Sequence, residues 1–557
     1  MSAYVEQIDG APGAGKTYQL RQRLESEATG DLSLADFYWL NFTNSGRKDV
    51  EPEIRETFAG SDAAGEIDPT DRAKTFHGLA LSLVIRDGAV DPDVFNEQII
   101  QQNGSNGDVD PFADFCRRQG LEYDPSESDP KKLLSGVDQT EHTGNTLFAI
   151  NDYLTATYKP PEKWRHARLT TRIPNGRVPD LLEAWDEYKR NPPEKDFRLF
   201  EHGDYIEYAA DQGLTPDVDV LFIDEFQDLA PAEYRLFKLW RDHGPVERMY
   251  IAGDPNQAIY SFRGATPYYF ENTDTDAVAE LTDSRRCPEK IAHAAGAVLE
   301  AHADTDPRGF AGFEPGGVVR WRSFREKGAL HDAAIDATDR YQSAPSVLFL
   351  TRTNRQLTRL TRDLQDVGVP FEMLGSRRGV WADDDLADML DVLNGLAAGA
   401  DAFDAAAVRT LRDALTDPTD YAKTFGEVAL GEDVRELFDR YQSADALAGR
   451  LELPEWKRDV LQSAVRANAA IAPGEVQVGT IHTAKGLEAP TVYLFTASTD
   501  RIVSSYERQP KKAAEEHRVY YVGASRASEE LHLVDDYFRG PPAPPLEHAR
   551  HRFEVGT

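Results

Sequence analysis

A glycine-rich segment close to the N-terminus constrains the fold of this chain more than any other feature. It matches the pattern G-x-x-x-x-G-K-[ST] and lies between a strand-like run, VEQID, and a helical pattern, TYQLRQRLESEA. Its residues are Gly10, Ala11, Pro12, Gly13, Ala14, Gly15, Lys16 and Thr17. In this context the glycines let consecutive backbone N–H groups turn toward phosphate oxygens, and the start of the helix adds positive potential. The segment therefore predicts a nucleoside triphosphate site, with Lys16 on the β- and γ-phosphates and Thr17 on Mg²⁺.

A pair of carboxylates follows a second apolar strand. Asp224 and Glu225 come directly after the run VLFI. A carboxylate at the carboxyl end of a strand can bind Mg²⁺, and its neighbour can orient or deprotonate an attacking water. Such a pair on its own is usually a solvated turn, but the apolar strand and the upstream phosphate loop favour a hydrolytic site. We assign Asp224 to the metal and Glu225 to the water.

Apolar runs alternate with helical patterns along most of the chain. They include VLFI, RMYIAG, SVLFLT, EVQVGTI, TVYLFTA and LHLV. Continuous apolar strands are typical of parallel sheets that are buried on both faces, so the fold class is α/β. Two stretches, 87–200 and 380–474, instead combine short helical patterns with clusters of Pro and Gly. They predict mainly helical insertions.

The composition is strongly acidic. The 557 residues include 96 Asp and Glu against 62 Lys and Arg, a formal net charge of −34 at pH 7. Proteins that bind phosphate backbones usually present a basic face, so this balance at first argues against nucleic acid. The carboxylates are spread along the whole chain, however, which is typical of proteins from high-salt cytoplasms. General solubility is the alternative explanation. Net charge then says little about partners.

Other features of the composition limit the class of protein. The two cysteines, Cys116 and Cys287, exclude a disulfide scaffold and suit a reducing compartment. The N-terminal segment has no signal-peptide pattern, and no apolar run approaches the roughly 20 residues that span a bilayer. We expect a cytoplasmic protein without a membrane partner.

Several further motifs occur in one order and carry a family resemblance. They read FTN at 42–44, TFHGLA at 75–80, GDPNQAIYSFRGA at 253–265, VGTIHTAKGLE at 478–488 and YVGASRA at 521–527, with looser matches at SRR (284–286) and TRTN (351–354). Together with DEFQD and the phosphate loop, they resemble the UvrD/Rep/PcrA family of superfamily 1A DNA helicases. The resemblance extends over residues 5–535, and the acidic composition suggests a halophilic source, such as an archaeon or one of its mobile elements.

The resemblance implies two RecA-like P-loop NTPase domains with parallel sheets, 1A and 2A. Each would carry a mainly helical inserted subdomain, 1B or 2B, with ATP between 1A and 2A and single-stranded DNA across both. The expected boundaries are 1–86 with 201–283 for 1A, 87–200 for 1B, 284–379 with 475–540 for 2A, 380–474 for a shortened 2B, and 541–557 for a flexible tail.

The resemblance also implies roles for individual residues at the nucleotide. Gln257 would sense the γ-phosphate, and Arg286 and Arg526 would stabilise its developing charge from the second domain. Glu488 would contact the ribose. For either arginine, an exposed ion pair is the alternative.

On the DNA side, Tyr260, Phe262, Phe76 and His77 match positions that touch or stack on bases in the family. Without the flanking motif, Tyr260 and Phe262 would instead be assigned to the core. Candidate contacts to the nucleic-acid backbone are Thr43, Asn44, Arg263, Arg352, Thr353, Asn354, Thr480 and His482. The locally basic run KWRHARLTTRIPNGR, at 163–177, could hold duplex DNA, or it could be a solvated face that pairs with acidic neighbours.

These features together predict an ATP-dependent 3′→5′ DNA helicase that acts in repair, replication or recombination. Its partners would be single-stranded DNA, junctions with duplex DNA and possible repair or replication proteins, and it would be a monomer or weak dimer. A single-strand translocase that strips proteins but unwinds poorly is an alternative. A regulatory protein without motor activity is disfavoured, because every expected catalytic position is filled.

The adenine site departs from the family pattern. The family's adenine-reading glutamine lies in a helix upstream of the phosphate loop, whereas only nine residues precede Gly10 here. Arg285 occupies the position of the aromatic residue that stacks on adenine, and a guanidinium plane could replace that ring. Base recognition is therefore expected to be weak.

We expect GTP, and also CTP, to support DNA-stimulated hydrolysis within about tenfold of ATP, which is roughly 1.4 kcal/mol of discrimination. Strong rejection of a wrong base requires polar groups that the wrong base leaves unpaired. The measurement is kcat/KM for each nucleotide with saturating single-stranded DNA in molar salt. A thousandfold preference for ATP would show that Arg285 or another residue reads adenine.

Overall fold

The computed structural model describes residues 2–30, 32–59, 67–100, 110–127, 133–134, 140–303, 305, 307, 309–375, 379–415, 428–467 and 471–555. The chain divides into two compact units, Met1–Ser284 and Arg285–Thr557. Each unit contains a six-stranded parallel sheet with helices packed on it. The predicted α/β class with two parallel-sheet domains is confirmed.

The first unit places its strands and helices in alternation. The strands are β1 (Tyr4–Gly10), β2 (Phe37–Asn41), β3 (Ala73–Thr75), β4 (Val220–Ile223), β5 (Arg248–Gly253), β6 (Ala277–Leu281) and β7 (Asp283–Ser284). The helices are α1 (Lys16–Ala28), α2 (Asn44–Thr57), α3 (Phe76–Arg86), α4 (Phe95–Gln98), α5 (Pro111–Gln119), α6 (Thr143–Ala156), α7 (Arg177–Arg190), α8 (Asp204–Asp211), α9 (Pro231–His243) and α10 (Pro267–Glu271).

The sheet of the first unit has the strand order β3-β2-β4-β5-β1-β6, and its strands pair in parallel. The phosphate loop follows β1, the carboxylate pair follows β4 and the GDPNQ motif begins at the end of β5. Since β4, β5 and β1 are neighbours, and parallel strands end at the same edge of a sheet, the three motifs meet there. Ligands of open α/β sheets bind at this edge.

Burial on both faces explains the apolar run of β4. Leu221 and Ile223 pack on one side into a core that includes side chains of α3 and α9. Val220 and Phe222 point to the other side, where the core includes leucines of α1. All four side chains are fully buried. A strand in the middle of such a sheet can hold the carboxylates after it in a fixed position.

Helices α5, α6 and α7 contribute to a core of the first unit that is separate from the cores on the two faces of the sheet. It is built on aromatic rings, with Phe112 stacked on Trp185 at 5.3 Å and Phe148 edge-on to Phe112 at 4.6 Å. The basic run 163–177 lies on this part of the chain with its Lys and Arg side chains exposed, while Trp164 is buried.

The second unit repeats the arrangement. Its strands are β8 (Ala311–Gly312), β9 (Val318–Ser323), β10 (Val347–Thr351), β11 (Glu372–Met373), β12 (Ala402–Asp404), β13 (Val428–Leu430), β14 (Val476–Thr480), β15 (Ala489–Phe495) and β16 (Ala527–Asp535). Its helices are α11 (Glu289–Glu300), α12 (Gly328–Tyr341), α13 (Asn354–Asp366), α14 (Asp384–Ala398), α15 (Ala405–Asp413), α16 (Gly431–Phe438), α17 (Ala444–Ala448), α18 (Glu455–Ala467), α19 (Asp500–Arg508), α20 (Pro510–Ala524) and α21 (Pro544–Val555).

The second sheet has the order β11-β14-β10-β15-β16-β9, again with parallel pairing. Between β11 and β14 the chain forms α14 to α18 and the antiparallel pair of β12 and β13. None of the helices in the described ranges combines the length and the hydropathy needed to cross a lipid bilayer.

The segment after Gly540, which we expect to be a flexible tail, is folded onto the second unit over residues 541–555. Helix α21 occupies most of it, and Leu546 and Ala549 are fully buried there. The backbone N–H of Ala543 donates to the carbonyl of Thr496 at 2.8 Å. The proline-rich composition suggested a solvated segment, but Ala543, Leu546 and Ala549 recur every third residue and give the helix an apolar face.

Replacing Leu546 with Ala should lower the free energy of unfolding by about 2–4 kcal/mol, as expected for a buried leucine that leaves a cavity. His551→Ala, at an exposed position of the same helix, should change it by no more than about 0.5 kcal/mol. Urea unfolding of both variants in high salt measures the difference. Equal stability of Leu546→Ala and the unchanged protein would mean that α21 does not pack in solution.

Candidate nucleotide site and nucleic-acid surface

The phosphate loop connects β1 to α1 through two glycines in the left-handed region. Gly13 has a φ of 71° and Gly15, which precedes the helix, a φ of 87°. Glycine adopts this conformation without steric cost. A Cβ added to Gly10 would lie 2.7 Å from Cγ of Lys16, so the lysine chain can pass only over a glycine. The loop has the shape that a phosphate cradle requires.

The side chain of Lys16 folds back over this loop. Its Nζ donates to the carbonyl oxygens of Gly10, at 2.8 Å, and Ala11, at 3.2 Å. Lys16 is 8% exposed, and hydrogen bonds of this kind offset part of the cost of burying the ammonium. The ammonium therefore lies within the loop, where phosphate oxygens can replace the carbonyls as its acceptors.

The two predicted metal ligands touch each other directly. Thr17 Oγ1 donates to Asp224 Oδ2 at 2.7 Å, although the two residues lie on different elements of the sheet edge. A hydroxyl and a carboxylate are oxygen ligands, which Mg²⁺ prefers. The residues present therefore fit a magnesium ion, which Thr17 and Asp224 would hold.

Burial and charge repulsion change the acidity of Asp224. Burial, and second the negative charge of Glu225, raise the pKa of Asp224 to about 6, while Thr17 and Lys16 act in the opposite direction. Glu225 itself has a φ of 56°, which a residue with a side chain rarely adopts. A divalent cation at Asp224 would favour the ionised form and relieve this repulsion.

A buried glutamine that the sequence analysis did not single out joins the two carboxylate-bearing loops. Gln227 Nε2 donates to Glu225 Oε2 at 2.6 Å, and Gln227 Oε1 accepts from the backbone N–H of Asp254 at 3.0 Å. Asp254 Oδ2 in turn accepts from Gln257 Nε2 at 2.9 Å. Gln227 belongs to the motif DEFQD. A single sequence, however, does not indicate that a glutamine two residues after a carboxylate connects that carboxylate to another loop.

An aromatic cluster follows Gln257 in the chain. The rings of Tyr260 and Phe42 stack with centroids 5.4 Å apart, and Phe262 lies edge-on to Tyr260 at 6.0 Å. The guanidinium of Arg263 lies over the ring of Phe42 at 5.1 Å. All four side chains are half-buried, which distinguishes them from core residues. Phe42 is not among the residues predicted to contact DNA, although it is the first residue of the FTN motif.

Two further residues that are expected to contact bases, Phe76 and His77, pack against neighbouring side chains within the first unit. Phe76 is 3% exposed and stacks on Trp240 at 5.6 Å, because the apolar face of α3 packs against α9. Phe76 is therefore packed in the core of the first unit, which opposes the expected base contact, and that contact stays a prediction. His77 stacks on His202 with centroids 4.1 Å apart, and its Nδ1 lies 3.4 Å from a carboxylate oxygen of Glu233.

The predicted backbone contacts of the first unit lie at the start of α2. Thr43 is exposed and caps the helix, since its Oγ1 accepts from the N–H of Gly46 at 3.1 Å. Asn44 begins the helix, but its side chain lies outside the described part of the chain.

In the second unit, the predicted DNA contacts differ in accessibility. Arg352 pairs with Glu516, Nε to Oε2 at 2.9 Å, and its side chain is 16% exposed. Thr480 is buried, and its Oγ1 lies 3.3 Å from that of Thr483. Because the guanidinium of Arg352 already forms an ion pair with Glu516, its expected contact with DNA is opposed. The half-buried members are Thr353, which caps α13, Asn354 and His482.

The residues of the second unit that are expected to contact the nucleotide differ in how far they are buried. Arg286 forms an ion pair with Glu488, whose side chain is 56% exposed. Arg526 is 1% exposed, and its guanidinium donates to the carbonyls of Val522, at 2.9 Å, and Leu487, at 3.2 Å. An exposed ion pair is thus excluded for Arg526. Arg285 is exposed.

Taken together, the parallel sheet, the phosphate loop and the carboxylates at its edge define a P-loop nucleotide hydrolase. Residues 5–277 match the family model of the UvrD/REP helicase N-terminal domain, and residues 423–535 match that of the UvrD-like helicase C-terminal domain. The chain belongs to the UvrD-like family of ATP-dependent, DNA-binding helicases.

Individual relatives agree with this assignment. The ATP-dependent DNA helicase UvrD2 of Mycobacterium tuberculosis is 23% identical over 563 residues, which cover 95% of this chain and 76% of that protein. The ATP-dependent DNA helicase PcrA of Leuconostoc citreum is 23% identical over 400 residues, or 67% of this chain and 48% of that protein. A 63-residue segment is 41% identical to RecBCD enzyme subunit RecB of Escherichia coli, covering 11% of this chain and 5% of that subunit.

The raised pKa of Asp224 predicts a pH dependence of metal binding. Because this pKa is raised to about 6, the carboxyl holds a proton below pH 6 that Mg²⁺ must displace. The apparent affinity for Mg²⁺ in the presence of nucleotide should fall about tenfold per pH unit below pH 6 and be constant above pH 7. Calorimetric Mg²⁺ titrations with a non-hydrolysable ATP analogue measure it.

Asp224→Asn is the matched control, because it keeps an oxygen for Thr17 but has no carboxyl proton. It should bind Mg²⁺ more weakly, and its affinity should fall less steeply below pH 6, because only the nucleotide phosphate then takes up a proton. A wild-type affinity that falls no more steeply than that of Asp224→Asn would contradict the raised pKa.

Proposed function

We propose that this protein is a DNA-stimulated ATPase that moves 3′→5′ along single-stranded DNA and unwinds duplex at the junction. The observation that carries the proposal is the meeting of three motifs at the ends of β4, β5 and β1, with an aromatic cluster in the chain directly after Gln257. This arrangement supports phosphate chemistry and base stacking at the same edge of the sheet.

The hydrolytic step follows from the side chains at that edge. Bound Mg²⁺ would neutralise charge on the β- and γ-phosphates. Lys16 Nζ exchanges the carbonyls of Gly10 and Ala11 for phosphate oxygens. Glu225 orients the attacking water and accepts its proton. Gln257 senses the γ-phosphate, and the roles of Arg286, Arg526 and Glu488 stay predictions.

The DNA side relies on stacking. Tyr260 and Phe262 offer aromatic rings, Phe42 supports the ring of Tyr260, and Arg263 offers a positive charge over Phe42. Stacking of a base on an aromatic ring contributes about 1–3 kcal/mol whatever the base is. Such contacts suit movement through any sequence, and they need no basic surface over the rest of an acidic chain.

We place this activity in DNA repair, replication or recombination in the cytoplasm, with single-stranded DNA and its junctions as substrates and a monomer or weak dimer as the active form. Contact with duplex DNA would come from the exposed basic run 163–177. A translocase that strips proteins from DNA without unwinding it differs in needing no such contact.

A strand-displacement assay in molar KCl tests the proposal. Duplexes with a 3′ tail should be unwound and duplexes with a 5′ tail should not. Glu225→Gln is the matched inactive control, since it should bind ATP and DNA but hydrolyse ATP at least a hundredfold more slowly. Lys16→Ala should lose hydrolysis as well, because the charge that neutralises the phosphates is gone.

Each other outcome has a defined meaning. Hydrolysis stimulated by single-stranded DNA without displacement would indicate the translocase. Displacement from 5′ tails would overturn the polarity. Near wild-type hydrolysis by Glu225→Gln would show that the water-activating residue is a different one.

A further inference from the structure

A path of three hydrogen bonds connects the loop after β4 to the loop after β5. It begins at the carboxylate of Glu225, passes through the side-chain amide of Gln227 to the backbone of Asp254, and ends at the amide of Gln257. Gln227 is 0% exposed and Gln257 is 5% exposed. The path therefore lies within protein, where hydrogen bonds are held in fixed geometry.

The chemistry of the path fixes the orientation of Gln227. Only the amide oxygen can accept the N–H of Asp254, so the amide nitrogen must face Glu225. There it donates to Oε2 at 2.6 Å. Gln227 thus gives Glu225 a directed N–H donor that a carboxylate or a methyl group could not supply.

The surrounding backbone is built to admit this glutamine. A Cβ at Gly253 would lie 2.5 Å from Gln227 Oε1 and 2.9 Å from a ring carbon of Phe270. Only glycine therefore fits at the end of β5 while Gln227 keeps its position. On the other loop, Glu225 has its unusual φ of 56°. Its N–H is held by Asp224 Oδ1 at 2.8 Å, and its carbonyl accepts the N–H of Asp228 at 3.0 Å.

Asp254 completes the connection on the sensor side. One of its carboxylate oxygens accepts the N–H of Asn256 at 2.9 Å, and the other accepts the side-chain amide of Gln257 at 2.9 Å. The side chain of Asp254 therefore stabilises the turn that carries Gln257, while the backbone N–H of Asp254 donates to Gln227. The aromatic cluster of Tyr260 and Phe262 begins three residues further along the chain.

We infer that Gln227 is a positioning residue for hydrolysis: it orients the carboxylate of Glu225 and ties it to the loop that carries Gln257 and the aromatic cluster. The inference rests on the proposed function, in which Glu225 activates the attacking water. It adds a physical route by which DNA bound at the cluster alters the hydrolytic carboxylate.

Two substitutions at Gln227 separate the effect of the hydrogen bond from that of charge. Gln227→Met removes the donor and keeps the length of the chain, so kcat and its stimulation by single-stranded DNA should each fall at least tenfold. Gln227→Glu places a second carboxylate beside Glu225, and like charges at this distance raise the pKa of one of them. In Gln227→Glu the acid limb of the kcat–pH profile should therefore move to higher pH by more than one unit. In Gln227→Met, which adds no charge, the shift of the acid limb should be less than half of that in Gln227→Glu.

Profiles are measured at saturating Mg²⁺, where Asp224 is ionised in every variant. Binding of a fluorescent non-hydrolysable ATP analogue should stay within threefold of wild type, because the side chain of Gln227 bonds to Glu225 and Asp254 and not to the phosphate loop. Gln98→Met is the matched control: Gln98 is 3% exposed, lies in the same unit and accepts the N–H of Asp91 at 2.6 Å. It should lose stability but keep kcat and the pH profile.

Wild-type kcat and pH profile in both folded Gln227 variants would overturn the inference. So would a parallel loss of nucleotide binding and kcat, or a loss of kcat in Gln98→Met as large as in Gln227→Met. Absence of ATP hydrolysis by the wild-type protein would instead overturn the proposed function, and the two failures are thereby distinguished.

Discussion

The hydrogen bond between Thr17 and Asp224 joins residues that are 207 positions apart in the chain. It can form only because β1 and β4 run parallel on either side of β5 and end at one edge. Each feature of the site depends on that alignment, including the contact of the phosphate loop with a carboxylate and the path from Glu225 to Gln257. The helices that cover both faces of the sheet hold the alignment, and the large insertion between β3 and β4 leaves it undisturbed.

The acidic surface and the recognition of a polyanion are compatible because the two depend on different side chains. Long-range attraction of DNA is weak for a chain with a formal charge of −34, and it is screened further in concentrated salt. Stacking is short-range and needs no net charge. The cluster of Phe42, Tyr260 and Phe262, with Arg263 beside it, therefore suits a helicase whose surface is otherwise carboxylate-rich.

The sequence predicts the fold class, and it predicts which loops meet at one edge of a parallel sheet, because apolar strands and fixed motifs specify them. It does not specify the roles that depend on the direction of a side chain. Phe76 belongs to a motif yet points into the core, and Arg526 is held by carbonyls of its own unit. The composition of the segment after Gly540 suggested solvation, but three small or apolar side chains dock it. The role of Gln227 cannot be predicted from the sequence, because its side chain takes its position only where Gly253 has no Cβ.

The position of Lys16 bears on how the site responds to acidity. Its ammonium is held by two backbone carbonyls of the loop, those of Gly10 and Ala11. A carbonyl carries no titratable proton, so these two contacts stay the same at every pH at which the protein is folded. The other side of the site differs, because Asp224 is a buried carboxyl whose pKa is raised. A change of pH therefore acts on one half of the site and leaves the other half as it is.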